Sequence, residues 1–180
     1  MKRSSMRSMV LAGVLMAAPV FLKADVPASE RESANLAHKV RHELVLLPFY
    51  SVFDNLAFEI DGGKVTLLGQ VTRPTLRTDS ERIVKRIEGV TSVENRIEVL
   101  PVSTFDDRIR LGVYRAVYGQ GALFRYHLVP LAPIRIVVKN GDVTLEGVVA
   151  SEMDRNLANI AANGVFGVFK VTNNLKVSKA

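Results

Sequence analysis

Apolar positions along the chain follow one rhythm, which is then repeated. Phe58 and Ile60 alternate with polar neighbours, Asp61-Gly62-Gly63 interrupts, and Val65, Leu67 and Val71 resume; Ile136 and Val138, Lys139-Asn140-Gly141-Asp142, and Val143, Leu145 and Val149 do the same further on. A period of two broken by Gly-Gly or Asn-Gly predicts a β-hairpin, because those pairs supply the positive φ that tight turns need. Gly69 and Gly147 sit inside the second strand of each hairpin, where a missing side chain signals a bulge or a close approach; a helix packed across the glycine is the expected cause. The period then changes to that of a helix. Leu76, Ile83, Val84 and Ile87 share one face while Arg77, Glu81, Arg82, Lys85 and Arg86 lie elsewhere, and Met153, Leu157, Ile160, Ala161 and Val165 form the matching stripe. Pro74 suits a first helical turn, Ser151 with Asp154 suits a cap, and Gly89 and Gly167 are placed to stop the helices. A last strand follows at 93–99 and 171–177. Before each hairpin lies another helix, with Leu36, Val40, Leu44 and Leu47 on one face in the first and Ile109, Val113, Ala116 and Val117 in the second.

The two halves are copies at a constant offset of 78 residues. Gly63-Lys64-Val65-Thr66-Leu67-Leu68-Gly69-Gln70-Val71 recurs as Gly141-Asp142-Val143-Thr144-Leu145-Glu146-Gly147-Val148-Val149, and Val93-Glu94-Asn95 as Val171-Thr172-Asn173. About a dozen positions are identical between 58 and 99 with no insertion, which marks a structural repeat. The expected fold is α+β: two tandem α-β-β-α-β modules, each a three-stranded mixed sheet covered by two helices, at 33–100 and 105–178 with a linker at 101–104. Asn95 and Asn173 are expected to make a structural hydrogen bond near the sheet edge.

Residues 1–24 have the layout of a secretory signal peptide: Lys2, Arg3 and Arg7, then an apolar run from Met9 to Leu22, then small residues around Ala24. The run is shorter than the roughly 20 residues a spanning helix needs. Export to the periplasm is therefore expected. The formal net charge of +6 falls to +2 once Lys2, Arg3, Arg7 and Lys23 are set aside, since 20 basic residues then face 18 acidic ones. That balance argues against a nucleic-acid partner, whose binding requires concentrated positive charge. The chain has no cysteine, which removes disulfides, thiolate metal sites, a cysteine nucleophile and the acyl-bearing residue of a bacterial lipoprotein.

The hairpin reading Gly-x-Val-x-Leu-x-Gly-x-Val, the helix ending in Gly-Val and the closing Val-x-Asn-x-(Ile or Leu)-x-Val resemble the BON domain, and the resemblance covers nearly all of the chain after the leader, twice. It implies an envelope location, binding of phospholipid or other envelope components, and no established catalytic centre. The loop at 119–133 departs from the pattern, being about five residues longer and more apolar than its counterpart.

Candidate chemistry is sparse. His38 and His42 lie one helical turn apart, but Lys39 stands where a zinc protease places glutamate and no third ligand is evident, so a solvated helix face is expected. Neither a Gly-x-Ser-x-Gly nor a Ser-x-x-Lys motif occurs, and Gly119-Gln120-Gly121 lacks the lysine of a phosphate loop; no enzyme activity, metal or cofactor is expected. Asp106 and Asp107 read as first-turn residues that offset the helix dipole. The strongest candidate is the helix around 105–118. With Ile109, Val113 and Ala116 inward, Leu111, Tyr114 and Tyr118 face outward between Arg108, Arg110 and Arg115, a combination suited to an anionic phospholipid or membrane surface. Two alternatives stand beside it. The face packs on the first module, opposite His38, Arg41, His42 and Val45, or the chain is an adaptor that docks on another envelope protein through a strand edge or the 119–133 loop.

Overall fold

The computed structural model describes residues 28–178; the expected signal segment lies outside them. In chain order the elements are α1 (Ala28–Val45), β1 (Asn55–Asp61), β2 (Lys64–Val71), α2 (Pro74–Val84), β3 (Ser92–Asn95), β4 (Glu98–Val99), α3 (Thr104–Tyr118), β5 (Ile134–Lys139), β6 (Asp142–Val149), α4 (Glu152–Asn163), β7 (Lys170–Asn173) and β8 (Lys176–Val177). This is an α+β chain with two mixed sheets. In each, a central strand pairs antiparallel with its hairpin partner (β2 with β1, β6 with β5) and parallel with the strand that returns after the crossover helix.

That returning strand is not continuous. It breaks after Asn95 and Asn173, giving β3 and β4 in the first sheet, β7 and β8 in the second. The asparagines hold the break in one geometry. The Asn95 amide donates to the Arg77 carbonyl at 2.9 Å while its oxygen accepts from the Ile97 amide at 3.1 Å; Asn173 donates to the Arg155 carbonyl at 2.9 Å and accepts from Leu175 at 3.2 Å. Each asparagine thus ties the kinked strand to the crossover helix, which explains why this type recurs at the same place in both copies.

The hairpin turns carry the expected conformation, with φ of 56° at Gly62 and 53° and 83° at Asn140 and Gly141. The reason for the in-strand glycines differs from the expected one. No helix lies over them: Gly69 has φ +107° and a Cβ there would overlap the Asn55 carbonyl oxygen, while Gly147 has φ +123° and would strike that of Pro133. The close approach is made by backbone at the start of the hairpin itself. The crossover helices also stop sooner than Gly89 and Gly167 suggest. They end at Val84 and Asn163, after which tight turns such as Ile87 to Val84 (3.1 Å) lead to the positive-φ glycines.

Each module has its own core. Leu36, Val40 and Leu44 of α1 meet Val65, Leu67 and Val71 of β2, Leu76 and Val84 of α2, and Ile97; the second core is built alike from Ile109, Val113, Val117, Val143, Leu145, Val149, Ala158 and Leu175. Leu123, from the long loop, is fully buried in the second. The modules touch through the segment before β1. Val52 accepts from the Ile136 amide at 2.9 Å, Ser51 accepts from the Arg135 guanidinium at 3.0 Å, and that guanidinium stacks 4.6 Å over the Tyr50 ring. Asp54, fully buried, pins this segment by accepting from the amides and hydroxyls of both Ser51 and Thr72 at 2.6–2.9 Å.

Candidate functional site

Helix α3 starts at a true cap, Ser103, whose hydroxyl accepts from the Asp106 amide at 3.2 Å. Five of its six candidate residues divide into two groups. Arg108, Leu111 and Arg115 are exposed and follow one another along the outer stripe. Arg110 and Tyr118 are not on it: 5% and 3% exposed, they turn inward. Arg110 donates to the Val138 carbonyl of β5 at 2.7 Å and pairs with Asp107, and Tyr118 donates to the Ile134 carbonyl at 2.6 Å. Both are drawn in by carbonyls on β5, polar partners that a helical periodicity does not display. Burial pushes the Tyr118 phenol up to about 12, since the hydrogen bond to Ile134 and the nearby Arg135 offset only part of the desolvation.

Tyr114 is half-buried. Its ring lies edge-on to Phe53 of the first module at 6.1 Å and 5.0 Å from the Tyr118 ring, and its hydroxyl is 3.0 Å from His127 Nδ1. Module-to-module packing therefore does reach α3, but through Phe53. His38, Arg41 and His42 on α1 are exposed. The long loop folds back as a single 3-10 turn, Phe124–Tyr126, and the Tyr126 hydroxyl and Arg125 guanidinium both grip Asp154 at the start of α4. Burial works against the Asp154 charge, but Ser151, Tyr126 and Arg125 outweigh it and hold the carboxyl below its ordinary range.

Near the start of α3 the described residues leave three phenylalanines exposed, at a place the sequence reading did not single out. Phe166 is 98% exposed, Phe169 74% and Phe105 40%, and the Phe105 and Phe169 rings stand 6.0 Å apart. Phe105 is one turn before Arg108, so the aromatic tip runs into the Arg108–Leu111–Arg115 stripe. Met153 and Ile160, expected on the apolar stripe of α4, are instead 70% and 68% exposed, because Asp154, Ala158, Ala161 and Ala162 form its buried face. The only hint in the sequence is a comparison of copies: Phe105, Phe166 and Phe169 replace Glu32, Glu88 and Thr91.

Among the described residues no helix is long and apolar enough to cross a membrane, and no group of three or more metal-binding side chains gathers. Comparison with known proteins matches the BON domain model to residues 33–101 and again to 121–179. Over 111 residues the chain is 29% identical to the outer membrane lipoprotein DolP of Haemophilus influenzae (strain ATCC 51907 / DSM 11121 / KW20 / Rd), covering 61% of this chain and 57% of that protein, so the chain spans little more than half of that relative's length. Two solved structures of CdsD, a structural protein of the type III secretion system of Chlamydia trachomatis, align over 81% of the chain and 98% and 93% of theirs, at 14% identity and a TM-score of 0.29.

Proposed function

The chain belongs to the BON domain family, and from that footing we propose that it is a non-catalytic, exported envelope protein that holds to anionic phospholipid at a membrane surface and supports envelope integrity under stress. The observation that carries the reading is the exposed surface of the second module, where Phe105, Phe166 and Phe169 stand exposed near the start of the helix whose outer stripe carries Arg108, Leu111 and Arg115. Rings of this size gain free energy by leaving water for the acyl boundary, and the flanking guanidinium groups are attracted by anionic headgroups. A monomeric surface has no folding reason to leave such a cluster in water.

The similarity to a protein described as an outer membrane lipoprotein supports an envelope location in the periplasm. These 180 residues contain no cysteine to carry an acyl chain, and in this reading the surface of the second module makes the membrane contact. No cofactor has a role in this reading, and neither nucleic acid nor substrate turnover enters it.

The test is sedimentation of the chain lacking residues 1–24 with neutral and with anionic vesicles, at low and at high salt. Pelleting with anionic vesicles that weakens with salt, and is lost on changing Phe166 and Phe169 to Ser, is the expected result. Equal recovery in the supernatant with both vesicle types contradicts it.

A further inference from the structure

The same tip is built differently in the first module. In the second, the Asp106 carboxylate is completely buried and accepts from two hairpin-turn amides, Asn140 at 2.9 Å and Gly141 at 2.8 Å. Matching Leu36, Val40 and Leu44 to Ile109, Val113 and Val117 places Ser33 where Asp106 stands, and the repeat places Gly62 and Gly63 where Asn140 and Gly141 stand. Serine offers one hydroxymethyl group in place of a carboxylate, and among the described residues no side chain accepts a hydrogen bond from the Gly62 and Gly63 amides, although the Thr91 side chain lies against Gly63. The rings are replaced as well: Glu32, Glu88 and Thr91 take the positions of Phe105, Phe166 and Phe169. What results is a cavity of about 400 Å³ whose walls include Ser33, Leu36, Lys39, Gly62, Gly63 and Glu88.

From the carboxylate that fills this place in one module and the cavity that stands there in the other, we infer that the first module's notch binds the carboxylate of an acidic side chain on a partner polypeptide. The turn amides are the same pair that hold Asp106, and Lys39 stands on the wall with its ammonium 3.8 Å from Glu88. The rim selects among anions. With Glu32 and Glu88 there against one lysine, a dianionic phosphate is repelled, whereas a carboxylate beside a basic residue gives each rim charge a partner. This inference stands apart from the lipid reading and survives its failure.

The test is amide-resolved NMR of the ¹⁵N-labelled chain lacking residues 1–24, titrated with the blocked tripeptide acetyl-Lys-Asp-Lys-amide, with its Asn analogue, with inorganic phosphate and with phosphatidylglycerol vesicles. The expected result is a saturable downfield movement of the Gly62 and Gly63 amide protons with the Asp peptide and not with the Asn one. Ser33→Asp, which copies the second module's arrangement, is expected to show those shifts without peptide, to melt no lower than the parent and to ignore the peptide; Lys39→Ala is expected to weaken binding. The inference is overturned if the two amides do not respond, if they respond equally to both peptides, if phosphate or the vesicles move them at lower concentration than the Asp peptide, or if folded Ser33→Asp still binds.

Discussion

Arginines 108, 110 and 115 lie within two turns of one helix, yet the structure buries the second and exposes the other two, and alanine substitution separates the roles proposed for them. Arg110 is 5% exposed; removing it leaves the Val138 carbonyl without the guanidinium that now donates at 2.7 Å, and empties the space of its aliphatic stem. An orphaned buried acceptor costs about 1–3 kcal/mol, with the lost stem packing added. Against this, the Arg110 Nε is already buried without a partner, so the parent carries a penalty that the variant sheds. The balance is a loss of roughly 2 kcal/mol, which for a module of this size lowers Tm by about 10 °C. Arg110→Met keeps most of the stem and is expected to recover part of the loss. Arg108→Ala and Arg115→Ala, both exposed, should leave Tm unchanged while each weakens anionic-vesicle binding by about 1 kcal/mol, close to fivefold. Thermal denaturation by circular dichroism and vesicle sedimentation on all four variants decide the matter. The reasoning is refuted if Arg110→Ala melts with the parent and loses vesicle binding, the pattern of a surface arginine.

Other outcomes follow from the same geometry. Gly147→Ala combines a φ of +123° with an overlap on the Pro133 carbonyl oxygen and should destabilise the second module by more than about 2 kcal/mol, read from its urea midpoint. Asn173→Ala removes the tie between the strand break and the Arg155 carbonyl and should cost about 1–2 kcal/mol, with β7 and β8 amides exchanging faster with deuterium. The Tyr118 phenol, raised to about 12 by burial, favours the folded state while neutral; that contribution is complete below the unfolded pKa near 10 and is lost as pH rises toward 12, so alkaline unfolding should shift to higher pH in Tyr118→Phe, followed by absorbance and circular dichroism together. Asp154 has the opposite sign: its lowered pKa adds stability above the unfolded value near 4 that disappears as pH falls through the folded one, and Asp154→Asn should flatten that acid limb of the melting curve.

Much of the fold is legible because the features that specify it are local and occur twice. Alternation at 58–71 and 136–149, turn glycines and the Ser151 cap each announce one element, and the copies check each other. What one helix's periodicity omits is whatever packs over it. Tyr118 and Arg110 sit at the margins of the apolar stripe of α3, and their inward turn depends on carbonyls of β5 and a loop that folds back from Gly119. Asp106, read as a first-turn residue, reaches the turn at Asn140 and Gly141 because the hairpin tip ends beside the helix start, a juxtaposition 34 and 35 residues apart in the chain. The exposed rings of Phe105, Phe166 and Phe169 were present in the comparison of the two copies as mismatches, and a mismatch has no direction until the backbone gives it one.

The proposed membrane contact predicts that Phe166 enters the lipid. The chain has no tryptophan, so Phe166→Trp provides a single reporter at a residue 98% exposed, and Leu46→Trp on the first module, 62% exposed, provides the control. Adding anionic vesicles should shift the emission of Trp in place of Phe166 to shorter wavelength, make it quenchable by lipid-borne bromine, and leave the reporter at Leu46 as in water. Emission from the Phe166→Trp chain that stays at its aqueous wavelength at saturating anionic lipid contradicts the account.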